Sequence, residues 1–250
     1  MKVVVLGTKA QATFAVCNYL ESRFPGCSFI FEQPVNPWRL IKRRIKNLGV
    51  FQVAGQVAFQ LLVSPFLRRL SASRVMEIQG LYRLSIKAPD RGASHDVSSV
   101  NEPETVELLK RLTPDVIVLA GTRIVGKEFL ASVPCPVVNI HAGITPLYRG
   151  VHGGYWALVE GHPELCGVTV HRVDAGIDTG KVLAQSLITA TRADNFASYP
   201  WLQMGEGLIL LAALLPRLAA GEDVKFVPLT AESKLRHHPT IWQYFLGRVR

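Results

Sequence analysis

The chain opens with residues 2–32, which read KVVVLGTKAQATFAVCNYLESRFPGCSFIFE, and this stretch decides the fold. Residues 2–7 are a short apolar run, typical of a strand that is buried on both faces. Residues 9–22 carry apolar side chains at helical spacing, and residues 27–32 form a second apolar run. A strand, a helix and a strand in this order favour a right-handed crossover and a parallel sheet. We therefore predict an α/β, Rossmann-like fold with a mostly parallel central sheet and helices on both faces.

Length and composition indicate one folded domain with a tail. The 250 residues are 48% apolar and 19% charged, which excludes a disordered chain and allows one sizeable core. We predict a main domain over residues 1–220 and a C-terminal tail over residues 221–250. The tail ends in an apolar cluster that we expect to pack on the domain: Ile241, Trp242, Tyr244, Phe245 and Leu246.

Cysteine usage and the first residues indicate the compartment. The four cysteines are scattered, with no Cys-x-x-Cys pair, so neither a disulfide framework nor a zinc site is expected. We predict no bound metal. The first apolar run is too short for the apolar core of a signal peptide. The sequence therefore predicts a cytoplasmic protein.

Residues 37–72 interrupt the alternation of strands and helices. Five of the charges that give the chain its net charge of +9 lie between Arg39 and Lys46, and an apolar segment follows over residues 48–67. Gln52, Gln56 and Gln60 recur every four residues there, which predicts a helical insertion. We favour an insertion packed on its own domain. The alternative is a contact with a membrane surface, which would make the protein peripheral to the membrane, or with a second copy of the chain.

For residues 76–101 we expect short strands and loops.

The chemistry-bearing residues lie in two stretches, VVNIHAGITPLYRG at residues 137–150 and GVTVHRVDAGIDTG at residues 167–180. Asn139 and His141 are two apart on a predicted strand, so both project from one face at its carboxyl end. When an amine attacks an acyl carbon, an amide and an imidazolium can stabilise the oxygen that becomes negative. Asp178 can favour the charged imidazole and accept the proton of the amine.

Each of these residues alone has a structural explanation. Asn139 or Asp178 can cap a turn, and His141 can be a hydrogen-bonded histidine at a strand end. The three together favour the catalytic interpretation. His171, in the middle of an apolar strand, is interpreted as a structural hydrogen-bonding group.

The two stretches contain Asn-x-His, Pro-x-Tyr-Arg-Gly, Gly-Val-Thr-Val-His and Asp-Thr-Gly, and in these motifs the chain resembles the folate-dependent formyltransferase family over about residues 115–190. The resemblance implies 10-formyltetrahydrofolate as formyl donor, residues 1–220 as the catalytic domain, and Asn139, His141 and Asp178 as catalytic residues. It also implies two cofactor-binding loops, made of Thr122, Arg123, Ile124 and Val125 and of Val173, Asp174, Ala175, Gly176 and Ile177.

Comparison with the branches of this family reduces the number of possible acceptor classes. Relatives that act on a ribonucleotide amine carry a glycine-rich loop after the first strand, where this chain keeps only Gly7. Relatives that formylate transfer RNA carry a further C-terminal domain, whereas about thirty residues follow the long amphipathic helix that we predict over residues 194–219. We therefore expect no nucleic-acid partner and a small-molecule amine as acceptor, phosphorylated or linked to a nucleotide, with an amino sugar as the favoured class. The candidate substrate-binding residues are Gly7, Lys9, Tyr148, Arg149 and Gly150.

Two other functions stay open at this point. Hydrolysis of the formyl folate would use the same residues with water as the acceptor. A non-catalytic module that binds a folate or a nucleotide would keep the fold, although the retention of all three polar residues weighs against it. A dinucleotide-dependent dehydrogenase is disfavoured because no Gly-x-Gly-x-x-Gly follows the first strand.

Overall fold

The computed structural model describes residues 1–227 and 231–247. Its strands are β1 (Val3–Thr8), β2 (Ser28–Glu32), β3 (Ala93–Val97), β4 (Val116–Ala120), β5 (Val137–His141), β6 (Arg149–Gly150), β7 (Gly167–Arg172), β8 (Val182–Leu187) and β9 (Leu235–Arg236). Its α-helices are α1 (Gln11–Arg23), α2 (Pro37–Leu48), α3 (Val50–Ala58), α4 (Ser64–Leu70), α5 (Ala72–Leu81), α6 (Pro103–Leu112), α7 (Lys127–Ser132), α8 (Gly153–Val159), α9 (Tyr199–Ala219) and α10 (Ile241–Gly247).

Seven strands form the central sheet, in the order β3-β2-β1-β4-β5-β7-β8. The first five strands are parallel, whereas β7 pairs antiparallel with both β5 and β8. This confirms the mostly parallel α/β sheet. The carboxyl ends of β4 and β5 lie side by side, so the residues that follow them share one edge of the sheet.

Alternation along β1 explains why helices cover both faces. Val3 and Val5 pack with residues of α1 and α9, whereas Val4 and Leu6 pack with residues of α6 and α7. Successive strand side chains point to opposite faces, so a strand buried on both sides is a continuous apolar run. The opening residues of the chain show that pattern.

Helices account for most of residues 37–81, and a π-turn at Phe59–Val63 joins α3 to α4. This confirms a helical insertion at residues 37–72. The expectation of strands and loops from residue 76 onward was wrong as far as Leu81, because α5 continues the helical segment. Its one buried residue, Ile78, packs in a cluster with Leu202 of α9, and this contact secures the helix.

The inner side of the helical insertion packs on the body of the protein and on the tail. Phe59 contacts Phe196 and Tyr244, with ring centroids 4.9 and 5.0 Å apart. The Gln56 amide donates a hydrogen bond to the carbonyl of His238 at 2.9 Å. The tail also adds β9, which pairs with β6, and buries Tyr244. The boundary at residue 220 stays a prediction.

Within the described residues, two helical segments are long and apolar enough to span a membrane, as judged by length and composition: Val50–Leu70, which runs through α3, the π-turn and α4, and Tyr199–Ala219. The second is a core helix, because Leu208, Leu211 and Leu215 are fully buried against the sheet. Among the residues that the structure describes, the four cysteines are free thiols and no group of His, Cys, Asp and Glu could hold a metal ion.

Candidate active site

The predicted catalytic residues meet at the carboxyl end of the sheet. Asn139 and His141 lie on β5, and Asp178 lies in the loop between β7 and β8. All three line one cavity of about 510 Å³. Ligands of α/β proteins bind at this end of the strands, so the position fits a functional site.

Asp178 lies at the centre of a hydrogen-bonding cluster. Its Oδ2 is 3.2 Å from Nδ1 of His141, and its Oδ1 is 3.5 Å from Nε2 of His171. The backbone N–H of Gly150 donates to Oδ2 at 2.9 Å. Nε2 of His171 also lies 3.3 Å from the side-chain nitrogen of Asn139. This one nitrogen can either accept from Asn139 or donate to Asp178, so His171 lies between the two groups and bonds to one of them at a time.

The cluster keeps the Asp178 carboxylate ionised. Burial acts to raise the pKa of Asp178, but the hydrogen bond with His171, the attraction of the His141 ring in its protonated form and the N–H of Gly150 together lower it below its ordinary value of 3.8. The carboxylate is therefore a proton acceptor at neutral pH.

The loop that carries Asp178 has a defined backbone conformation. Asp178 has a φ of 51°, in the left-handed region that Asn and Asp adopt more readily than most residues. A guanidinium N–H of Arg149 donates to the carbonyl of Ile177 at 3.0 Å. This bond and the Gly150 N–H tie the loop to the segment that follows β5, and so hold the carboxylate against His141.

His141 is buried with both ring nitrogens next to oxygen atoms. Its side chain is 5% exposed, and its Nε2 lies 2.6 Å from the carbonyl oxygen of Tyr148. A Cβ on Gly143 would lie 2.8 Å from this nitrogen, so the turn requires glycine. Burial lowers the pKa of His141, although Asp178 acts to raise it. The ring is therefore neutral at neutral pH, and one of its two oxygen neighbours faces an unprotonated nitrogen.

Both predicted cofactor loops line the same cavity. The loop residues that contribute to its wall are Thr122, Arg123, Ile124, Val125, Val173, Asp174, Gly176 and Ile177. Ala175 is not part of the wall. Ile124 and Ile177 are 50% and 39% exposed, so two large apolar side chains are accessible at the cavity.

A buried carboxylate that sequence reasoning missed holds the first loop. Glu32, at the end of β2, is 3% exposed and accepts a hydrogen bond from the backbone N–H of Arg123 at 2.6 Å. Its other oxygen lies 2.6 Å from Nε of the same arginine and accepts a hydrogen bond from the N–H of Val100. An acidic residue that ends an otherwise apolar strand is the one sequence signal that could have identified it.

The candidate substrate-binding residues are divided between different places. Gly150 lines the cavity, Arg149 lies beside Asp178 in a neighbouring cavity, and Tyr148 is fully buried. Gly7 and Lys9 do not line the catalytic cavity, and Lys9 forms an ion pair with Asp96 at 2.7 Å. Substrate contacts by these five residues stay predictions.

Two histidines without a recognisable motif also line the cavity. His152 Nε2 and His238 Nδ1 are 3.0 Å apart, which joins the start of α8 to the tail. The two positions are 86 residues apart in the chain, so no local pattern could have paired them. Burial lowers the pKa of His152 to about 3, and burial together with the charge of Arg44 lowers the pKa of His238 to about 4.

Solved structures of low sequence identity share the fold. A glycinamide ribonucleotide transformylase from Symbiobacterium toebii is 18% identical with a TM-score of 0.57, covering 92% of this chain and 94% of its own. A sugar N-formyltransferase from Shewanella is 16% identical with a TM-score of 0.56, covering 94% of this chain and 76% of its own. At these identities the likeness concerns the architecture.

Sequence comparison identifies the family. A methionyl-tRNA formyltransferase from Kosmotoga olearia is 34% identical over 229 residues, which are 91% of this chain and 62% of that protein. A second, from Chloroflexus aggregans, is 35% identical over 125 residues, which are 40% of its length. The chain thus spans less than two thirds of these curated relatives. The family described as formyl transferase matches residues 72–199, which include Asn139, His141 and Asp178. This match covers just over half of the sequence, and the chain therefore belongs to the formyl transferase family.

Proposed function

We propose that the chain transfers a formyl group from 10-formyltetrahydrofolate to a primary amine of a small molecule. The observation that carries the proposal is the hydrogen-bonded cluster of Asn139, His141, His171 and Asp178 in a cavity between two loops. Membership of the formyl transferase family supports the reaction.

The cavity suits the formyl donor in size and chemistry. Its volume of about 510 Å³ lies within the usual range for ligand pockets, roughly 300–1,000 Å³. Ile124 and Ile177 offer apolar contacts for a flat ring, and the irregular backbone after β4 offers N–H and C=O groups to the edge of that ring. Gly121, with a φ of 74°, turns the chain out of β4 so that this backbone lines the cavity.

The cluster can stabilise charge on the reacting atoms. When bound, the donor would supply the formyl carbon, and attack by the amine makes the formyl oxygen negative and the amine nitrogen positive. The bond between the formyl carbon and the folate nitrogen then breaks, and that nitrogen takes up the proton that the amine loses, so tetrahydrofolate leaves. Asn139 can donate its amide N–H to that oxygen, and loss of such a donor typically costs about 2.7 to 4 kcal/mol. In the present conformation both nitrogens of His141 face protein oxygens, so we assign His141 an effect through the positive charge that it gains during transfer, instead of a direct hydrogen bond to the formyl oxygen.

Proton transfer is assigned to Asp178. Its ionised carboxylate accepts the proton that the amine loses, directly or through water, a contribution of order 10² to 10⁴ in rate. His141 is neutral and lies 3.2 Å away, so it can share that proton and become positive as the oxygen becomes negative.

Two classes of acceptor merit a test. An amino sugar linked to a nucleotide is supported by a basic cavity of about 310 Å³ beside the catalytic one, a size that suits a small phosphorylated molecule. Methionyl-tRNA is supported by the name and the 34% identity of the Kosmotoga relative. We favour the amino sugar. We also propose a cytoplasmic location, in keeping with the four free thiols among the described residues.

The test is transfer of formyl from 10-formyltetrahydrofolate to a panel of nucleotide-linked amino sugars and to methionyl-tRNA, with folate release and acceptor mass followed together. Asp178→Asn and His141→Ala are assayed in parallel. We expect a formylated amino sugar that forms only when Asp178 and His141 are intact. Folate release without any acceptor would show hydrolysis instead, and absence of folate binding would leave a non-catalytic module.

A further inference from the structure

A second cavity of about 310 Å³ adjoins the catalytic cavity. The two share part of their walls: Ile124, Gly150, Val151, Ile177 and His238 line both. The outer wall comes from α2 and from the tail, through Arg43, Arg44, Asn47, Leu235, Arg236 and His237. A molecule that extends from the catalytic cluster can therefore reach into this second cavity.

The second cavity is cationic. As far as the described residues form it, its wall contains three guanidinium groups and no carboxylate. Arg236 pairs with Glu160 at 2.6 Å, but Arg43 and Arg44 have no ion-pair partner within residues 1–227 and 231–247. The sequence from Gln33 to Met76 contains no Asp or Glu, so α2 has no acidic neighbour of its own to neutralise them. The lowered pKa of His238, caused first by burial and then by the Arg44 charge, agrees with a positive local potential.

No comparable cation lies at the opposite end of the catalytic cavity, within the part of the chain that the structure describes. A smaller cavity of about 240 Å³ adjoins Asn139 near the end of β1, and none of the described residues that line it is charged. Lys9, the cation of that loop, already pairs with Asp96 at 2.7 Å. Of the two cavities compared, at α2 and at the end of β1, only the one at α2 therefore offers a phosphate of the acceptor cations without an ion-pair partner, as far as the described residues form them.

We propose that the cavity formed by Arg43, Arg44 and Arg236 binds a phosphate or diphosphate group of the acceptor, while its amine lies at Asn139 and Asp178. Guanidinium groups bind phosphate with two parallel hydrogen bonds, which fixes orientation as well as charge. This inference rests on the proposed function and names its acceptor class as a phosphorylated amine. The phosphate can be carried by a nucleotide or by a lipid.

Binding is tested without folate, so that it does not depend on catalysis. The full chain is titrated by calorimetry with inorganic pyrophosphate, with UDP and with farnesyl diphosphate in detergent. Arg43→Gln/Arg44→Gln is compared with Lys87→Gln/Arg91→Gln, which removes the same charge from the exposed loop before β3. We expect about tenfold or greater weakening in the first variant and little change in the second. Equal weakening in both, or no binding by the parent, overturns the subsite. Stronger binding of UDP or of farnesyl diphosphate identifies the carrier.

A transfer assay separates failure of the subsite from failure of the proposed function. With a phosphorylated acceptor, Arg43→Gln/Arg44→Gln should raise KM about tenfold with kcat nearly unchanged, whereas Asp178→Asn should lower kcat. Transfer with an unchanged KM in the arginine variant overturns the subsite alone. Diphosphate binding that depends on Arg43 and Arg44, without transfer to any amine, overturns the proposed function alone.

A separate observation concerns the outer side of the helical insertion. Large apolar side chains, which we call the apolar ridge, project from it: Val50, Phe51, Leu61, Leu62, Phe66 and Leu70, each 60% to 75% exposed. Val50, Leu62, Phe66 and Leu70 are spaced by multiples of four residues. On an α-helix with about 3.6 residues per turn, side chains four residues apart are each displaced slightly around the helix axis. The π-turn at Phe59–Val63 has more residues per turn, and it therefore reduces this displacement. Val53, Phe59, Val63 and Leu67 of the same segment are buried, so the ridge lies on its solvent side, where Phe51 also stacks on Trp242 of the tail.

Basic residues flank the apolar ridge in the sequence. Lys42 and Lys46 of α2 precede it, and Arg68 and Arg69 lie within it on α4. Because residues 33–76 contain eight basic residues and no acidic one, a partner must be both apolar and anionic. A second copy of the chain would bring the same cations and a net charge of +9, so charge disfavours self-association through this face.

We infer that the apolar ridge docks on a membrane surface that contains anionic lipids. Apolar side chains enter the boundary between head groups and acyl chains while the neighbouring cations contact the head groups. Since α2 also walls the second cavity, docking would bring that cavity close to the lipid surface.

Vesicle flotation tests the docking. The parent should float with vesicles that contain phosphatidylglycerol and not with pure phosphatidylcholine, and less at high salt. Leu62→Gln/Phe66→Gln should lose about tenfold or more in bound fraction, while Lys87→Gln/Arg91→Gln should behave as the parent. Failure of the parent to float overturns the inference. So does a concentration-dependent dimer in sedimentation that the Leu62→Gln/Phe66→Gln variant abolishes, because the ridge would then be a contact between copies.

Discussion

The Asp178 side chain combines two demands, a left-handed backbone and an ionised carboxylate. Asparagine tolerates a φ of 51° nearly as well as aspartate, whereas alanine does not. We expect Asp178→Asn to keep folate affinity and stability while lowering kcat by about 10² or more. Asp178→Ala should lose folate affinity as well, because the loop at Ile177 relaxes. Folate titration and steady-state kinetics distinguish the two, and similar folate affinity in both variants would contradict the role of the backbone.

The two lowered pKa values make a prediction about pH. Asp178 has a pKa below 3.8 and is ionised above it, and His141 has a pKa below 6.5 and is neutral above it. Neither group therefore changes charge between about pH 6.5 and 9. Loss of kcat/KM on acidification in that range should follow the pKa of the acceptor amine. The measurement is the acidic side of the profile of kcat/KM against pH for two acceptors whose amines differ in pKa. We expect its midpoint to differ between the two acceptors in the same direction as the amine pKa. The same midpoint for both would show that a group of the enzyme causes the loss.

At the level of elements, one ion pair anchors the helical segment to the body. The Asp194 side chain is fully buried and accepts two hydrogen bonds from Arg74, at 3.0 and 3.2 Å. Arg74→Met leaves that carboxylate without its cation, and removal of one partner of a buried pair typically costs about 3 to 5 kcal/mol. We expect a urea midpoint lowered accordingly. Glu77→Gln, which removes the exposed partner of Arg74, is the control. A similar small loss in both variants would show that the buried pair does not anchor α5.

Which elements could be predicted from the sequence depends on how much of each is buried. β1 and β2 are recognisable because strands buried on both faces are continuous apolar runs. α5 was missed because only Ile78 is buried, while Met76 and Leu81 are largely exposed, so its apolar pattern has no clear face. Its anchor, Asp194, lies 120 residues away from Arg74 and leaves no local signal.

The candidate site likewise contains residues that short sequence motifs identify and residues that meet only in the folded chain. Asn139, His141 and Asp178 lie in two short motifs, so the amino-acid sequence is enough to propose them together. The basic cavity could not be proposed in this way, because Arg43 and Arg236 meet only after α2 and the tail have packed on the same loops. Glu32 of β2 holds the first loop through the N–H of Arg123. The sequence around Arg123 gives no indication of this contact.

For the molecule as a whole, the His152–His238 hydrogen bond links the tail to the catalytic cavity, and it requires an unprotonated nitrogen on the ring that accepts it. The folded-state pKa of His152 is about 3 and that of His238 about 4, both below the ordinary value of 6.5. The contribution of these two histidines to the free energy of unfolding is therefore fully present above pH 6.5, and it is lost as the pH falls towards their folded-state pKa values. At pH 4 the loss from His152 alone is about 3 kcal/mol, at about 1.4 kcal/mol per pKa unit.

The measurement is the free energy of unfolding between pH 7 and 4 for the parent and for His152→Asn/His238→Gln. Asparagine is chosen because His152 has a φ of 59°, which asparagine tolerates. The double variant should be less stable than the parent at pH 7 but lose less stability on acidification, since neither new side chain takes up a proton. His162→Gln, at an exposed histidine paired with Glu164, should keep the parental slope. An equally steep loss in the double variant would place the acid sensitivity elsewhere and leave the tail attached by its apolar contacts, chiefly those of Tyr244 with Phe59.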